Sequence, residues 1–266
     1  MDDAIKGQVT GSAAEIYDAF FVPALFAEWA PRVAEAAGLA PGRRVLDVAC
    51  GTGVLALEAA GRVAPGGAVT GLDRNDGMLA VARRKSSSVD WREGRAEALP
   101  FDAGAFDAVV SQFGLMFFDD RVAALREMAR VARPGSRIAV AVWAGLDAVP
   151  GYEAMTKLLA RLFGNRIADQ LRAPYALGDK AALRVLFADA GLRNVEIATP
   201  EGMARFPSIE SWVRTDIKGW TLADQIDDGQ YETLQAEAPK ALAGFVQSDG
   251  SVAFRHPAHI VIATRS

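Results

Sequence analysis

Short apolar runs and amphipathic segments alternate along the first half of the chain. The runs predict buried strands, and the segments between them predict helices that lie against those strands. In Asp120–Ala132, apolar residues recur every three positions from Val122 to Val131, behind Asp119 or Asp120 as a capping residue. The predicted strands are Val45–Cys50, Ala68–Asp73, Val89–Arg92, Phe106–Phe113 and Arg137–Val142, and the other predicted helices of this half are Leu55–Arg62 and Asp76–Lys85.

This alternation predicts a parallel sheet with right-handed crossovers. The run Ile138–Val142 is apolar at every position, as is typical of a strand that is buried on both faces. Two later runs, Val195–Ala198 and His259–Thr264, predict a closing pair of strands. The expected fold is therefore α/β and Rossmann-like, with a doubly wound, mostly parallel sheet of seven strands.

The remaining segments read mainly as helices. Residues 1–40 predict N-terminal helices, Ala13–Phe21 and Leu25–Gly38, with a break at Pro31, and residues 41–266 form the core. Segments 146–178 and 205–249 fall outside the regular alternation of predicted strands and helices. We interpret them as a helical cap over the carboxyl edge of the sheet, inserted after the fifth and sixth strands.

Composition narrows the function classes. The net charge of −4 over 266 residues provides no electrostatic footprint for nucleic acid, and no run approaches the roughly 18 apolar residues of a membrane span. Cys50 is the only cysteine, and His256 and His259 are the only histidines, so neither a disulfide nor a thiolate zinc site is expected. We expect a cytoplasmic protein without a metal, a nucleic-acid partner or membrane insertion.

A glycine turn follows the first predicted strand. Gly51 and Gly53 permit a tight turn and a close approach of backbone amides to a ligand, and the helix that follows favours a negatively charged group. Asp73 ends the second strand, 20 residues beyond Gly53, where a carboxylate can accept both hydroxyls of a ribose. Together these features predict a nucleoside site.

The charge of the Asp47 carboxylate helps to distinguish between the nucleoside ligands that this site could bind. Gly51, Gly53 and Ala56 satisfy a permissive dinucleotide fingerprint, but a pyrophosphate lying nearby would be repelled by the Asp47 carboxylate. A buried carboxylate requires a partner. A ligand that carries an ammonium group would supply one, and a structural hydrogen bond to loop amides would also fit the position.

Five consecutive motifs resemble those of class I S-adenosylmethionine-dependent methyltransferases, in particular the small-molecule enzymes similar to those of ubiquinone and menaquinone biosynthesis. The resemblance runs in order over Val45–Val142, and outside it the cap resembles the variable substrate-binding parts of the family. The motifs are DVACGTG at Asp47–Gly53, GLDRNDGML at Gly71–Leu79, GRAEALPF at Gly94–Phe101, FDAVVSQFGLMFF at Phe106–Phe118 and EMARVARPGSRIAV at Glu127–Val140.

The resemblance implies that S-adenosyl-L-methionine is the cofactor and that the first glycine turn holds its methionine part. Gly51 and Gly53 would lie against that part, the Ala49 and Cys50 backbone would lie near its amino group, and Asp47 would support the ammonium.

The resemblance also implies how the methyl end and the nucleoside are held. Gln112 and Phe113 would border the methionine and the transferable methyl, and Tyr17 would close over the cofactor. The nucleoside contacts would be made by five residues: Asp73 at the ribose hydroxyls, Arg74 and Met78 on either side of the adenine, Ala96 through its backbone amide, and Glu97 beside it.

Arg95 departs from the family pattern. Relatives commonly have an aspartate there that accepts a hydrogen bond from the adenine amine, and a guanidinium cannot accept one. Either Glu97 or a backbone carbonyl takes that role, or Arg95 points to solvent.

The core motifs identify no catalytic residue, because the cofactor supplies the reactivity and the protein aligns the acceptor. The candidates outside the core are His256 and His259, followed by Tyr152, Tyr175 and Asp216. The expected function is methyl transfer to a small aromatic, quinone-like or amine acceptor in an apolar pocket under the cap. The alternatives are an NAD(P)-dependent oxidoreductase and a non-catalytic scaffold that binds the same cofactor.

Overall fold

A twisted sheet of seven strands forms the centre of the computed structural model, which describes residues 11–193, 195–218, 222 and 225–266. The sheet order is β3-β2-β1-β4-β5-β9-β6, and a separate two-stranded sheet pairs β7 with β8. The strands are β1 Arg44–Val48, β2 Ala68–Asp73, β3 Asp90–Glu93, β4 Phe106–Gln112, β5 Ala132–Trp143, β6 Glu196–Ala198, β7 Met203–Phe206, β8 Val252–Arg255 and β9 Ala258–Thr264.

Strands β1 to β5 pair in parallel, and β9 runs antiparallel between β5 and β6. This order confirms the predicted doubly wound, mostly parallel sheet of seven strands. It also confirms the closing pair, since β9 joins both β5 and β6. The strand order reverses between β1 and β4: β2 and β3 continue towards one edge of the sheet, and β5 continues towards the other. At such a switch point a crevice opens at the carboxyl ends of the strands.

Helices pack on both faces of this sheet. A π-helical segment, Tyr17–Phe26, continues directly from α1, and short 3₁₀ turns occur at Leu115–Phe117, Leu146–Ala148, Ala173–Tyr175 and Ala243–Phe245. The α-helices are α1 Gly11–Ile16, α2 Ala30–Ala36, α3 Val54–Val63, α4 Asp76–Lys85, α5 Arg121–Val131, α6 Pro150–Phe163, α7 Asn165–Arg172, α8 Lys180–Asp189, α9 Ile209–Lys218 and α10 Asp228–Ala241.

The N-terminal region differs from the prediction. The first helix does not end at Phe21 but continues to Phe26 as the π-helical segment, with Pro23 inside it. Pro31 does not break a helix: it lies in the first turn of α2. The physical reason is that amides of a first helical turn have no partner within the helix, so proline is tolerated there.

The second cap segment is mainly helical, with α9 and α10, but it begins within a strand that the sequence did not predict. Strand β7 ends at Phe206 and pairs with β8 through the register Phe206 to Val252. The pattern of β7 alternates between buried and exposed positions, with Ala204 and Phe206 inside and Arg205 outside. Four residues are too few for such an alternation to stand out from a helical pattern.

Helix α5 shows how the sequence sets an element boundary. The Asp120 side chain accepts a hydrogen bond from the Ala123 amide, which confirms Asp120 as the capping residue. Leu125 and Met128 are fully buried against the sheet.

Replacement of Asp120, the N-capping residue of α5, should measurably destabilise the fold. We expect Asp120→Ala to lower the free energy of unfolding by about 1 kcal/mol, because the Ala123 amide loses its partner. Urea denaturation measures the change. Glu232→Ala removes an exposed carboxylate from the middle of α10 and should change stability by less than about 0.5 kcal/mol. Equal losses in both variants would assign the effect to charge rather than capping.

Candidate functional site

Two strained loops face each other at the crevice between β1 and β4. Ala49 follows β1 with φ of 58°, and Phe113 follows β4 with φ of 56°, although neither is glycine. A Cβ on Gly114 would lie 2.6 Å from the Ala49 side chain, so the two loops are in close contact. Non-glycine residues in the left-handed region cost energy and concentrate at functional sites. The backbone conformation therefore marks this crevice as a candidate functional site.

Asp47 lies at the carboxyl end of β1 and is 1% exposed. Neither of its carboxylate oxygens makes a hydrogen bond of normal geometry to any described residue. Burial, together with the nearby Asp73 charge, raises the pKa of Asp47 well above its ordinary value, and the Ala56 amide only partly opposes this shift. A carboxylate in this position fits a ligand that brings a positive charge.

The glycine turn and Asp73 are joined directly. One carboxylate oxygen of Asp73 accepts a hydrogen bond from the Gly51 amide at 2.8 Å, and the other accepts one from the Asn75 amide at 2.8 Å. The Arg74 amide also acts on this carboxylate, and a carboxylate offers about four acceptor positions, so acceptor capacity is left for a hydroxyl group. Burial raises the pKa of Asp73, and these backbone amides oppose the shift.

Trp91 on β3 is a site residue that sequence reasoning missed. A Cβ on Gly53 would lie 2.5 Å from the Trp91 ring, and one on Gly71 would lie 2.6 Å from it. Gly53 has φ of 89° and precedes α3. The indole ring therefore supports the glycine turn from one side. A lone tryptophan in a short strand gave no sequence signal for this role.

Further buried polar atoms near the crevice lack partners. They are the hydroxyls of Thr52 and Ser111 and the amide oxygen of Gln112. Buried polar groups in proteins are nearly always hydrogen-bonded, so a concentration of exceptions marks a place where a ligand supplies the bonds. Together with Asp47, this donor and acceptor set fits the amino-acid part of S-adenosylmethionine. Sequence reasoning missed Thr52 and Ser111, although hydroxyls at the ends of apolar strands were a usable signal.

The π-helical segment covers the crevice. The Gln112 side-chain amide donates a hydrogen bond to the Phe26 carbonyl at 3.1 Å. The Tyr17 ring stacks on that of Phe26 at 5.2 Å, and the Phe26 ring contacts that of Phe113 at 5.5 Å. Burial and the charges of Asp73 and Asp18 raise the pKa of Tyr17, so its hydroxyl stays protonated. Tyr17 thus lies near Asp73, over the site.

Met78 and Cys50 are apolar neighbours of the same site. Met78 on α4 packs with Ala14 and Tyr17. Cys50 is buried, and its amide donates a hydrogen bond to the Leu72 carbonyl at 3.0 Å. Burial, and then the charges of Asp73 and Asp47, raise the pKa of the Cys50 thiol. The thiol is therefore protonated and lacks the character of a nucleophile.

A charged cluster occupies the predicted adenine edge. Arg95 donates a hydrogen bond to Asp119 at 2.6 Å and lies 3.6 Å from Glu97. Arg74 lies 3.6 Å from the same Asp119 carboxylate. Arg95 therefore does not simply point to solvent, since Asp119 and Glu97 compensate its charge. Ala96, which lies between Arg95 and Glu97 in the chain, is buried.

Beyond Phe113, three rings form a continuous stack. The Phe113 ring lies on that of Trp143 at 3.6 Å, and the Trp143 ring lies on that of His256 at 3.9 Å. Both pairs are within 14° of parallel. The predicted methyl end of the site is thus connected through packed rings to the interior of the cap.

The end of this stack contains four of the five candidate residues for proton transfer. Tyr175 shares a hydrogen bond of 3.0 Å with His256 Nε2, and Tyr152 donates one of 2.9 Å to Asp216 Oδ1. Burial lowers the pKa of His256 to about 3 and raises that of Asp216 to about 8. Burial also raises the pKa of both tyrosines. The histidine is therefore neutral at physiological pH.

His259 does not belong to this cluster. Its Nδ1 lies 2.8 Å from the Thr199 hydroxyl, and its Nε2 lies 2.9 Å from the Gly178 carbonyl. Both ring nitrogens are thus engaged, one with the loop that follows β6 and the other with the end of the first cap segment. His259 is a structural residue in this fold.

Within the described ranges, no group of three or more potential metal ligands comes together. The part of the chain that the structure describes also contains no helix long and apolar enough to cross a membrane.

Known proteins resemble this chain in sequence and in fold. A family described as "Methyltransferase domain" matches residues 46–140. The demethylmenaquinone methyltransferase of Staphylococcus carnosus is 34% identical over 188 residues, which cover 65% of this chain and 78% of that protein. The Staphylococcus aureus enzyme of the same name is 31% identical over the same shares of the two chains.

Solved structures share the fold. The YcgJ protein of Bacillus subtilis matches with a TM-score of 0.59 and 21% identity, over 90% of this chain and 98% of that one. Haemonchus contortus phosphoethanolamine N-methyltransferase 2, solved with S-adenosylhomocysteine, matches with a TM-score of 0.60 and 18% identity, over 96% of this chain and 57% of that one.

The raised pKa of Asp47 leads to a prediction about proton release. An ammonium-bearing ligand favours the ionised carboxylate, so binding should release a proton and affinity should rise with pH until free Asp47 has ionised. We expect S-adenosylhomocysteine to show both effects. Calorimetry in buffers of different ionisation enthalpy measures the proton count, and titrations from acidic to neutral pH measure the affinity.

The ligand control for this prediction is 5′-methylthioadenosine, which keeps the adenine and ribose but lacks the ammonium. Its affinity should vary much less with pH, because any titration of Asp73 at the ribose affects both ligands. Asp47→Asn should remove the difference between the two ligands. Equal pH dependence for both in the native protein would contradict the assigned pairing of Asp47 with the ammonium.

Proposed function

The chain belongs to the class I S-adenosylmethionine-dependent methyltransferases, and from that premise we propose that it methylates a small organic acceptor bound between Phe113 and the cap. Bound S-adenosylmethionine supplies an activated methyl group on a sulfonium centre. The chain itself binds and orients the two reactants and excludes water from them. The acceptor is aromatic, quinone-like or an amine, in line with the aromatic residues beyond Phe113.

The single observation that carries this proposal is the buried Asp47 carboxylate without a hydrogen-bond partner beside Asp73. In the proposed complex, Asp47 supports the ligand ammonium and Asp73 accepts hydrogen bonds from the ribose hydroxyls. Gly51 and Gly53, with the Ala49 and Cys50 backbone, lie against the methionine part.

The remaining predicted contacts are part of the same proposal. Tyr17 closes over the ligand, and Gln112 and Phe113 border its methyl end. At the adenine, Arg74 and Met78 flank the ring, and the Ala96 amide and Glu97 lie at its edge. We also propose residues 1–40 as the cover of the cofactor, with 41–266 as the core and 146–178 and 205–249 as cap insertions. Residues 1–10, 219–221 and 223–224 of these ranges lie outside the described residues.

The relatives support a small acceptor. The staphylococcal relatives are named for demethylmenaquinone, and one structural neighbour is named for phosphoethanolamine. A quinone-like ring and a primary amine are therefore both reasonable first acceptors to assay. Shared fold alone does not choose between them.

Two observations count against an oxidoreductase. A dinucleotide pyrophosphate near the glycine turn would meet the Asp47 charge. A second dinucleotide-binding half would also continue the parallel sheet beyond β5, whereas β9 runs antiparallel there. A non-catalytic scaffold would bind the same cofactor and would differ only in failing to transfer a methyl group.

Thermal-shift measurements distinguish these classes. We expect S-adenosylhomocysteine to raise the melting temperature and NAD and NADP to leave it unchanged, because a ligand stabilises the state that it binds. Stabilisation by NAD or NADP without stabilisation by S-adenosylhomocysteine would reject the proposal. Mass spectrometry of acceptor panels with S-adenosylmethionine then tests for transfer.

Asp73→Asn tests the ribose contact. We expect it to weaken S-adenosylhomocysteine binding about tenfold or more, because hydrogen bonds to a charged acceptor are worth about 1.5–3 kcal/mol. Isothermal titration calorimetry gives the affinity. Asp76→Asn is the matched control, since Asp76 begins α4 nearby, is exposed and pairs with Arg83. Unchanged affinity in Asp73→Asn would contradict the ribose role.

A further inference from the structure

The winding of the π-helical segment, Tyr17–Phe26, sets which of its side chains face the crevice. A π-helix joins residues five apart by hydrogen bonds, so positions four and five apart lie on one face. Tyr17, Phe21 and Phe26 have this spacing, and the Tyr17 ring lies 5.8 Å from that of Phe21 and 5.2 Å from that of Phe26. In an α-helix, with 3.6 residues per turn, Phe26 would lie on the side opposite Tyr17. The π winding therefore gives the segment one aromatic face, which contacts Phe113.

The opposite face of the π-helical segment borders open space. Ala19, Phe20, Pro23 and Ala24 line a groove of about 300 Å³, whose other wall is formed by β7 and α9. The segment is thus packed on the crevice side and has room behind it. A displacement away from the crevice brings apolar side chains into the groove, and their burial lowers the cost of that displacement.

The proposed cofactor site lies on the packed side. Asp47 and Asp73 are buried there, and the Gln112 side chain donates its hydrogen bond to the Phe26 carbonyl. In the proposed complex Tyr17 closes over the ligand. The π-helical segment must therefore be displaced each time that a ligand enters or leaves.

An ion pair holds the side of the π-helical segment to α4. Lys85 Nζ donates a hydrogen bond to Asp18 Oδ1 at 2.7 Å, and both side chains are less than one third exposed. The next pair along the two helices, Arg84 with Glu15 of α1, has both side chains more than half exposed. Exposed ion pairs contribute little, so the pair of Asp18 with Lys85 is the stronger of the two.

Apolar packing accompanies this ion pair. Tyr17, adjacent to Asp18 in the chain, packs with Ala14 on Met78 and Val81 of α4. Such packing does not depend on charge, whereas an ion pair weakens as ionic strength rises. Charge substitutions and salt therefore act on the ion pair and leave the apolar contacts in place.

We propose that the ion pair between Asp18 and Lys85 is a latch that holds the π-helical segment over the crevice and sets the rate at which S-adenosylmethionine and S-adenosylhomocysteine exchange. This inference rests on the proposed function. When the pair breaks, the segment retracts towards the groove and the crevice opens. The latch is closed in both the free and the loaded protein, so its loss accelerates opening in both states. Entry and release quicken by the same factor, and the affinity stays the same.

Equal acceleration of entry and release distinguishes a latch from the other roles of a charged side chain. A side chain that contacts the ligand changes mainly the dissociation rate, and the affinity changes with it. A side chain that serves only folding changes the fraction of active protein and leaves both rates of the folded fraction unchanged.

Removal of the latch is tested through the kinetics of S-adenosylhomocysteine binding. Stopped-flow tryptophan fluorescence follows both rates, because Trp29 and Trp143 pack on Phe113 at the crevice. We expect Lys85→Met to raise the association and dissociation rates together by about two- to fivefold, the range for an ion pair of this exposure. Unchanged rates, or a change in the dissociation rate alone, would overturn the inference.

A charge swap separates the ion pair from its individual side chains. Asp18→Lys brings two cations together and should raise both rates more than Lys85→Met does. Asp18→Lys combined with Lys85→Asp restores the attraction and should return both rates towards their native values. Arg83→Met is the matched control, since Arg83 lies in the same last turn of α4 but pairs with Asp76. A swap that fails to slow exchange relative to Asp18→Lys, or an equal increase in Arg83→Met, would contradict the latch.

Ionic strength tests the latch in the native protein. The screening length falls from about 10 Å at 0.1 M salt to about 3 Å at 1 M salt. Both native rates should therefore rise with added salt, and they should rise more than those of Lys85→Met. Native rates that do not rise, or an equal rise in Lys85→Met, would count against the ion pair.

The equilibrium affinity separates this inference from the function on which it rests. Lys85→Met should bind S-adenosylhomocysteine with native affinity, because Lys85 is not among the predicted cofactor contacts. Failure of the native protein to bind S-adenosylhomocysteine would reject the proposed function. Native binding at rates that neither the charge substitutions nor salt change would reject only the latch.

Discussion

The cost of a buried carboxylate at the end of β1 is the physical constraint around which the site is arranged. Asp47 could be neutralised by a lysine or arginine, as the charges at the adenine edge are, but the described structure places none beside it. The chain instead leaves Asp47 close to Asp73, whose charge also acts on Tyr17. Burial of these carboxylates costs stability in the free protein, and in the function that we propose a cationic ligand would offset that cost.

The backbone around Asp47 follows from the same constraint. A left-handed residue at Ala49 and another at Phe113 bring two loops into contact at the one place where the sheet reverses its winding. That contact leaves polar atoms of Thr52, Ser111 and Gln112 buried and without partners. Strain and unsatisfied polar groups are tolerated because the packed strands below hold the loops in place.

The cap repeats this arrangement with different neighbours. Asp216 is buried without a counterion, as Asp47 is, but aromatic rings surround it where backbone amides lie close to the first site. The stack from Phe113 to His256 continues to the Tyr152 ring, whose hydroxyl donates a hydrogen bond to Asp216.

The sequence by itself determined the sheet, because strand periodicity acts through local geometry along the whole run from Val45 to Thr264. It also indicated the glycine turn, Asp47 and Asp73 as one candidate site, because they lie within about 30 consecutive residues. It did not reveal the π-helical cover, the β7–β8 pair, Trp91, or the pairing of Arg95 with Asp119. It also named Tyr152, Tyr175, Asp216 and His256 only as separate candidates. Their partners are 64 and 81 positions apart in the chain. Only tertiary packing decides such contacts, since burial and pairing depend on which distant segments meet.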